Sequence, residues 1–236
     1  YINCKEISTI EWYPFNIIRQ TAAGYLVFHV NSNSKWSKIL YDKSLSLINK
    51  NIVLDWHIRL DGPYGSSSQT IINTQHAIMI GSGNGISRMA PILQDIALRL
   101  KNNPTTVSLK RIDLHWIIED HTYFEWFTKL LQDIKDNTGI FNYHIYFLDK
   151  SPGDFNEKLM FISTNAGEKT TNVSLIDNLW DDSNFGLPNW SDKLGENRDN
   201  YSDLNCIVFF SGPRKYLKNL KKSCRQLKIP LKEKNF

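Results

Sequence analysis

Three glycines at alternate positions, placed between an apolar run and an amphipathic stretch, are the residues of this sequence best suited to chemistry. The apolar run covers 77–80, the glycines are Gly81, Gly83 and Gly85, and the amphipathic stretch covers 89–97. The pattern predicts a buried strand, a tight turn and the start of a helix. Such a turn offers backbone N–H groups and the positive end of a helix dipole to an anion. Since glycine has no Cβ, the turn can approach a diphosphate closely, although the same pattern also fits a plain tight turn.

The elements that would position this turn alternate between strand and helix over residues 70–236. Apolar periodicity predicts strands at 77–80, 112–118, 143–148 and 207–210, and helices at 87–100, 124–134 and 214–227. This alternation predicts an α/β fold with a doubly wound parallel sheet, in which ligands bind beyond the carboxyl ends of the strands. Three polar segments follow predicted strands and therefore stand at such ends, namely 81–85, 119–120 and 211–213.

Two further regions differ from this alternation. Residues 1–65 are predicted to be rich in β-structure, with strands at 24–30 and 56–60 and a compact turn at 61–65. Residues 150–205 are polar and interrupt the rhythm of strand and helix. Because so long an irregular stretch is unusual in a compact domain, we interpret it as a functional or mobile insertion.

The composition indicates a globular chain and argues against several other classes. With 236 residues, 41% of them hydrophobic, the chain can form one large or two small domains. It has no apolar run of about 18 residues, so we expect no transmembrane helix within it. The three cysteines are far apart and the six histidines lack ligand spacing, so we assign no disulfide framework and no metal or haem ligand. The chain opens on Tyr1 in a strand-like segment, and we interpret it as part of a longer protein.

Basic residues concentrate near the end of the sequence. Nine Lys or Arg residues stand between Arg214 and Lys234 against the single acidic residue Glu233, although the whole chain has a net charge of only +4. Such a segment can indicate a nucleic-acid or membrane partner. It is also typical of the solvated face of a helix, because Leu217 and Leu220 belong to a series at helical spacing. We favour the solvated face and expect no nucleic-acid partner, since no set of aromatic residues alternates with the basic ones.

Seven short segments, in order along nearly the whole chain, resemble the dehydrogenase module of the NADPH oxidase and ferric reductase family. They are E-W-Y-P-F-N-I at 11–17, D-G-P-Y-G at 61–65, I-G-S-G-N-G-I-S at 80–87, Y-F-E-W-F at 123–127, P-N-W at 188–190, S-G-P at 211–213 and K-N-F at 234–236. Each segment is short, but their order and spacing together are specific. Within the family, the sequence looks most like a yeast metalloreductase or an NADPH-oxidase-like protein.

The resemblance implies two domains and a set of cofactor-binding residues. A partial antiparallel FAD-binding β-barrel would cover 1–66, and an NAD(P)H-binding domain would cover 67–236. The flavin would be lined by Tyr13, Pro14, Phe15 and Asn16. The nucleotide diphosphate would be held by Gly81, Ser82, Gly83, Asn84, Gly85 and Ser87. The nicotinamide would lie beside Ser211, Gly212 and Pro213.

Two residues would serve the reaction itself, according to the same resemblance. Phe236 would cover the face of the flavin ring that the nicotinamide must reach, and an aromatic contact is weak enough for it to move aside. Ser211 would lie beside the nicotinamide, in place of the usual cysteine. Electrons would pass from NADPH or NADH through FAD to haem in a membrane domain of the same polypeptide. The module would lie at the cytosolic face of the plasma membrane or endoplasmic reticulum.

Two classes of function remain open from the sequence. As an enzyme, the module would serve the reduction of ferric or cupric chelates, or of dioxygen to superoxide. As an alternative, it is a degenerate, non-catalytic reductase-like domain with a binding or regulatory role. Departures from the family pattern at Tyr13, Asn31, Glu119 and Leu187 keep this alternative open.

Glu119 is the sharpest of these departures. The resemblance places it where family members that use NADPH carry an arginine for the 2′-phosphate. A carboxylate repels that phosphate and accepts hydrogen bonds from ribose hydroxyls, so we hypothesise a preference for NADH or weak nucleotide binding. Leu187 likewise stands where the P-N-W segment usually has arginine. In the alternative, Glu119 faces solvent and Arg88 or Lys129 meets the phosphate; Arg88 itself either reaches a phosphate or faces solvent.

Overall fold

The chain divides into two compact units, Tyr1–Ser66 and Ser67–Phe236. The computed structural model describes residues 1–15, 17–20, 24–28, 30, 34–48, 56–64, 70–103, 105, 107–118, 127, 130–131, 134–135, 138–148 and 183–233.

The described part of the first unit consists of two antiparallel strand pairs and one helix. The strands are β1 (Ile2–Cys4), β2 (Ile17–Gln20), β3 (Leu26–Phe28) and β4 (Ile58–Leu60), and helix α1 covers Lys35–Ile48. Strand β1 pairs with β4, and β2 pairs with β3. The strands predicted at 24–30 and 56–60 are therefore present, with three described strand residues each.

Helix α1 lies inside the region that the sequence predicts to be β-rich. Its start is fixed by reciprocal hydrogen bonds, since Ser37 N donates to Ser34 Oγ at 3.0 Å and Ser34 N donates to Ser37 Oγ at 3.0 Å. This is the arrangement of a capping box, with serine at both positions. The helix places Trp36 in a buried cluster with Ile2 and Cys4. The cap and this packing together explain why a helix forms here.

The second unit is built on a parallel sheet with six strands over its described residues. They are β5 (His76–Ser82), β6 (Arg111–Ile118), β7 (Phe141–Phe147), β8 (Ser183–Phe185), β9 (Cys206–Ser211) and β10 (Leu231–Glu233), in the order β10-β9-β5-β6-β7-β8. Its helices include α2 (Ile86–Asn102), α3 (Trp190–Asn200) and α4 (Arg214–Leu227). Neighbouring strands pair in parallel throughout. The predicted doubly wound α/β fold is confirmed.

Strand β5 occupies the position at which the winding of the chain reverses. It pairs with β6 on one side and, on the other, with β9, which comes much later in the sequence. All seven residues of β5 are buried. In open α/β sheets, ligands bind in the crevice beyond the carboxyl ends of the strands at such a switch point. The carboxyl ends of β5 and β9 therefore mark the place to look for a site.

Helix α4 covers the residues that apolar periodicity predicts for it. Leu217, Leu220 and Cys224 recur at helical spacing and share one buried cluster with Ile78 and Ile80 of β5. The apolar side of α4 therefore packs on the sheet.

Residues 183–205, the last part of the predicted polar insertion, belong to the sheet domain. Strand β8 extends the sheet beyond β7, and α3 contributes Trp190 and Leu194 to the buried cluster. The hydroxyls of Ser191 and Ser223 lie 2.9 Å apart and join α3 to α4. Apolar periodicity does not predict α3, because it buries only two side chains and carries Gly195 near its middle.

A buried ionic cluster lies at the amino ends of β5 and β6. His76 Nε2 lies 2.7 Å from Asp113 Oδ2, and Arg111 Nη2 donates to Asp113 Oδ1 at 2.8 Å. Burial by itself raises the pKa of Asp113, but the hydrogen bonds from His76 and Arg111 outweigh it and bring the pKa to about 2. Asp113 is therefore a carboxylate at neutral pH, held by two partners, at the end of the sheet opposite to the switch point.

His115 is buried in the middle of the same face of the sheet. Its Nδ1 makes a 3.0 Å hydrogen bond with the Tyr146 hydroxyl, and its ring stacks on His144 at 4.9 Å between centroids. Trp190 of α3 packs edge-on against it at 5.6 Å. Burial, with a smaller contribution from His144, lowers the pKa of His115 to about 3. His115 is therefore neutral at ordinary pH.

Candidate functional site

The predicted glycine turn follows β5 directly. Residues Gly83–Gly85 form a turn of 3₁₀ helix, and α2 begins at Ile86. Gly83 has a φ of +52°, in the left-handed region that side chains disfavour. A Cβ on Gly81 would lie 2.6 Å from Ile86 Cδ1, so glycine at this position lets α2 pack closely on β5. The predicted strand, turn and helix are confirmed.

Gly85 and Gly212 allow the turns after β5 and β9 to interlock. A Cβ on Gly85 would lie 1.9 Å from the carbonyl oxygen of Ser211 and 2.9 Å from the Gly212 nitrogen. A Cβ on Gly212 would lie 3.0 Å from Ser82 Cβ. Gly85 is therefore required by a contact within the protein, whatever the turn binds, and Gly212 sits at a contact that a side chain would tighten. Two segments that are distant in the sequence meet here at the switch point of the sheet.

Two helices begin at this crevice. Helix α2 starts after Gly85 and α4 starts after Pro213; among the described side chains, none caps either start, and neither first turn has an acidic residue. Because Ile80 packs with α4 and its neighbour Gly81 against α2, the two helices lie on opposite faces of the sheet. Their first-turn N–H groups and positive dipole ends suit an anion placed between them.

Serines flank the turn on both sides. Ser82 ends β5 and is 0% exposed, and Ser87 stands in the first turn of α2 and is 7% exposed. The backbone of Asn84 forms the middle of the 3₁₀ turn. The predicted diphosphate segment and the predicted nicotinamide segment at 211–213 are thus brought together at one edge of the sheet.

Ser211 provides a buried polar group that the described residues do not satisfy. It is 4% exposed, and its Oγ has no hydrogen-bond partner among the described residues. An unsatisfied buried hydroxyl is destabilising by about 1–3 kcal/mol, so the position fits a ligand that supplies the missing partner. Ser211 also borders a cavity of about 330 Å³ between α2, β9 and β10.

Arg88 lies in the wall of this cavity, together with Phe209 and Lys232. Burial lowers the pKa of the Arg88 guanidinium to about 10, which leaves it protonated at neutral pH. The cavity lies on the β9 side of β5, away from β6. Arg88 therefore places a positive charge on the nicotinamide side of the predicted site.

The residues predicted to line a flavin lie around an aromatic cluster in the first unit. The Tyr13 ring stacks on Trp36 at 4.8 Å between centroids, and the Phe15 ring packs on Trp36 at 5.8 Å. Backbone hydrogen bonds of 2.8 and 2.9 Å join Tyr13 to Ile2. Pro14, between the two rings, is exposed. Half-buried aromatic rings offer the kind of apolar face on which a flavin ring stacks, so these residues fit the cofactor.

Trp36 positions both rings and is not among the residues predicted from the sequence. It is 2% exposed and belongs to α1, the helix that the β-rich prediction does not include. The serine pair that caps α1 is the signal that could have located it.

Several predicted positions lie outside the described residues. They are Asn16, Asn31, Glu119, Lys129, Phe236 and residues 150–182. The roles assigned to them from the sequence stay predictions.

The described residues also contain little that suggests another kind of site. Among them, no helix is long and apolar enough to cross a membrane. The same residues contain no group of three or more His, Cys, Asp or Glu side chains that could hold a metal ion.

Comparison with known families assigns both units. Residues 74–225 match the ferric reductase NAD binding domain, and residues 1–68 match an FAD-binding domain. The first match covers more than half of the chain and includes the glycine turn, Ser211 and the crevice between them.

Curated relatives align over nearly the whole chain at low identity. The heavy chain of a superoxide-generating NADPH oxidase from Dictyostelium discoideum is 25% identical and is aligned with 94% of this chain and 44% of its own length. Human NADPH oxidase 3 is 24% identical over 94% of this chain and 39% of its own length. The dual oxidase of Drosophila melanogaster is 27% identical over 96% of this chain and 15% of its own length. The chain thus spans less than half the length of these relatives.

A solved structure shows the same fold. The cytochrome b5 reductase domain of Ulva prolifera nitrate reductase superposes with a TM-score of 0.50 at 15% identity, covering 99% of this chain and 82% of that one. The match to an NAD-binding family agrees with the geometry at the switch point. There, two helix starts that no described side chain caps lie beside the interlocked turns. The chain belongs to the ferric reductase NAD-binding domain family, and it joins that domain to an FAD-binding domain as flavin-dependent oxidoreductases do.

Proposed function

We propose that this chain is the reductase part of a longer membrane protein, in which electrons from NAD(P)H pass through FAD to haem in a membrane domain. The first unit would hold FAD and the second would hold the nicotinamide nucleotide. The reductase would lie at the cytosolic face of the plasma membrane or the endoplasmic reticulum. The final acceptor would be a ferric or cupric chelate, or dioxygen giving superoxide. The names of the relatives support this class, because they describe NADPH oxidases, one of them superoxide-generating.

The observation that carries the proposal is the Ser211 hydroxyl, which no described residue satisfies, beside two helix starts that no described side chain caps. The helix starts of α2 and α4 present N–H groups where a diphosphate would be held. The Ser211 hydroxyl lies at the end of β9, in register with Gly81 of β5, at the same edge. One ligand that carries both a diphosphate and a polar ring substituent satisfies both features, and a nicotinamide dinucleotide is such a ligand.

The described residues would bind and orient the nucleotide. The turn at Gly83–Gly85 and the first turn of α2 would hold the diphosphate, and Ser211 would exchange a hydrogen bond with the carboxamide of the nicotinamide. The apolar wall that Phe209 gives to the cavity would exclude water from the ring. Tyr13 and Phe15, fixed by Trp36, would hold the flavin. FAD, when bound, supplies the conversion between a two-electron donor and one-electron acceptors.

The proposal is tested by two matched serine substitutions in the FAD-loaded protein. Ser211→Ala removes a buried hydroxyl that lacks a partner among the described residues, whereas Ser223→Ala removes one that is bonded to Ser191. We expect Ser211→Ala to weaken NADH binding or slow anaerobic bleaching of the flavin roughly 2–10-fold without loss of stability. We expect Ser223→Ala to lower stability by about 1 kcal/mol and to leave bleaching unchanged.

Two results contradict the proposal. If the two variants change bleaching alike, Ser211 has no role at the nucleotide. If the purified protein, with further barrel strands supplied, binds neither FAD nor NAD(P)H, the degenerate, non-catalytic domain is the correct function.

We further propose that the nucleotide is NADH, because of the residues at positions 119 and 187. Glu119 and Leu187 stand where the family resemblance expects arginine, so neither offers a cation to a 2′-phosphate. Leu187 is 49% exposed between β8 and α3, so an arginine there is accommodated in solvent. We expect Glu119→Arg and Leu187→Arg each to raise NADPH affinity relative to NADH. A clear preference of the unmodified protein for NADPH, measured by titrating both nucleotides, refutes this assignment.

A further inference from the structure

One face of helix α4 carries an uninterrupted row of positive charge. Residues 214–228 include seven basic side chains and no acidic one, although the net charge of the chain is only +4. Arg214, Lys218, Lys222 and Arg225 follow one another at intervals of four, four and three residues, so they share one face about 17 Å long. All four are exposed, because the opposite face of α4 packs on the sheet.

The four side chains of this row form no ion pair with another described residue. Among ion pairs between described residues, α4 takes part in one, from Lys221 to Glu233 of β10. Helix α3, which packs beside α4, pairs its own charges instead, since Lys193 binds Glu196 at 3.1 Å. Over the described part of the chain, the basic row therefore stands as a positive surface without acidic partners.

The composition of the row favours one kind of partner. Tyr216, the aromatic residue of α4, is 7% exposed and packs inward, and no described residue of α4 is an exposed large hydrophobic. Protein interfaces depend on buried aromatic or apolar anchors, and single-stranded nucleic acids on stacking aromatics. Neither is offered here. A straight row of flexible cations without an apolar anchor suits an extended anionic surface, and clusters of four to eight Lys or Arg on a helix are typical of binding to anionic lipids.

We propose that the basic face of α4 docks on the surface of an anionic lipid bilayer. The attraction is between the Lys and Arg side chains and the lipid head groups, and no residue inserts into the hydrocarbon. The inference rests on the proposed function in one respect, namely that a membrane-attached haem domain brings α4 near a bilayer. Vesicle binding and flavin bleaching are measured separately, so each can fail without the other.

The test compares two pairs of charge-removing substitutions in the FAD-loaded chain. Lys218→Gln with Lys222→Gln removes two charges from the basic face. Lys101→Gln with Lys110→Gln removes two exposed charges at the end of α2 and before β6. Sedimentation is measured with phosphatidylcholine vesicles, with and without one third phosphatidylserine, over a range of salt concentrations.

We expect the unmodified chain to bind only the vesicles that contain phosphatidylserine, and to lose binding as salt rises. Each basic residue contributes about fivefold to such partitioning, so the α4 pair should lower the partition coefficient roughly 25-fold. The α2 pair should lower it much less, and both should bleach with NADH as the unmodified chain does. Binding that is equal without phosphatidylserine, or equally reduced in both variants, overturns the proposal. The proposal is also overturned if a short poly-glutamate peptide binds the α4 face more tightly than vesicles of the same total negative charge do. The partner would then be an acidic polypeptide.

Discussion

Substitution of Gly85 by alanine tests whether the interlocked turns define the site. The backbone of Gly85 has φ −61° and ψ −28°, which any residue adopts, so alanine introduces no conformational strain there. The added Cβ would lie 1.9 Å from the Ser211 carbonyl oxygen and 2.4 Å from its carbonyl carbon. Real contacts of a Cβ stay above 3.0 Å, so the two turns must separate by roughly 1 Å.

The size of the effect follows from what must move. Both obstructing atoms belong to the backbone at the end of β9, which is held by pairing with β5, so no side chain can rotate away. Overpacking in such places costs about 1–3 kcal/mol, and we expect Gly85→Ala to fall near the upper end. We also expect nucleotide affinity to fall at least tenfold, because the helix starts and Ser211 no longer converge.

Two other glycines supply matched controls. No described atom lies within 4 Å of the Cβ position of Gly83, but its φ is +52°, so Gly83→Ala should cost about 1–2 kcal/mol through backbone strain alone. Gly195 lies in α3 with no described atom within 4 Å of its Cβ position, so Gly195→Ala should raise stability by about 0.5–1 kcal/mol. Urea unfolding and NADH titration measure both quantities. If Gly85→Ala unfolds at the same urea concentration as the unmodified chain and binds NADH equally well, the interlocked turns have no such role.

Other predictions concern the buried polar residues and the first unit. Asp113→Asn leaves the Arg111 guanidinium without its carboxylate and should lower the free energy of unfolding by about 3 kcal/mol, whereas Asp95→Asn, at an exposed ion pair, should change it by less than about 1 kcal/mol in urea titrations. The pKa of Asp113 is lowered from 3.8 to about 2, so its stabilisation is present above about pH 4 and lost as the pH falls to about 2. The pKa of His115 is lowered from 6.5 to about 3, so as the pH falls the unfolded chain is protonated before the folded chain. The free energy of unfolding therefore declines below pH 6.5, by up to about 1.4 kcal/mol per pH unit. His115→Phe should flatten that decline between pH 6.5 and 4; an unchanged slope means that another group is responsible. Trp36→Ala should destabilise the first unit by about 3–5 kcal/mol and weaken FAD binding, and normal FAD affinity in that variant refutes the role given to the aromatic cluster.

The elements that the sequence predicts are those whose burial leaves a recognisable pattern of apolar residues, either a continuous run or a period. Strand β5 is buried on both sides and forms a continuous apolar run in the sequence, and α4 alternates an apolar with a basic face. Helix α1 is not predicted, because its start depends on a serine pair and its main buried residue is a single tryptophan. Strands β8 and β10 have three residues each, too few for a period to show.

The site is predictable only in part for a related reason. The glycine spacing identifies the turn, and the resemblance identifies the S-G-P segment, but neither states that Gly85 and Ser211 are in backbone contact. That contact arises from the pairing of β5 with β9, which is a property of the sheet order. The same holds for Tyr13 and Trp36, which come together through packing between distant segments.

The interlocking of the turns after β5 and β9 also bears on how the protein is made. Gly85 and Ser211 are separated by more than one hundred residues, so half of the nucleotide site is still unsynthesised when the glycine turn leaves the ribosome. A chain that stops before β9 has the turn but neither Ser211 nor the start of α4. Because closure of so long a loop precedes formation of the site, nucleotide binding reports that the second unit has folded to completion. A quality-control step that held back chains without bound nucleotide would therefore hold back both truncated and incompletely folded copies.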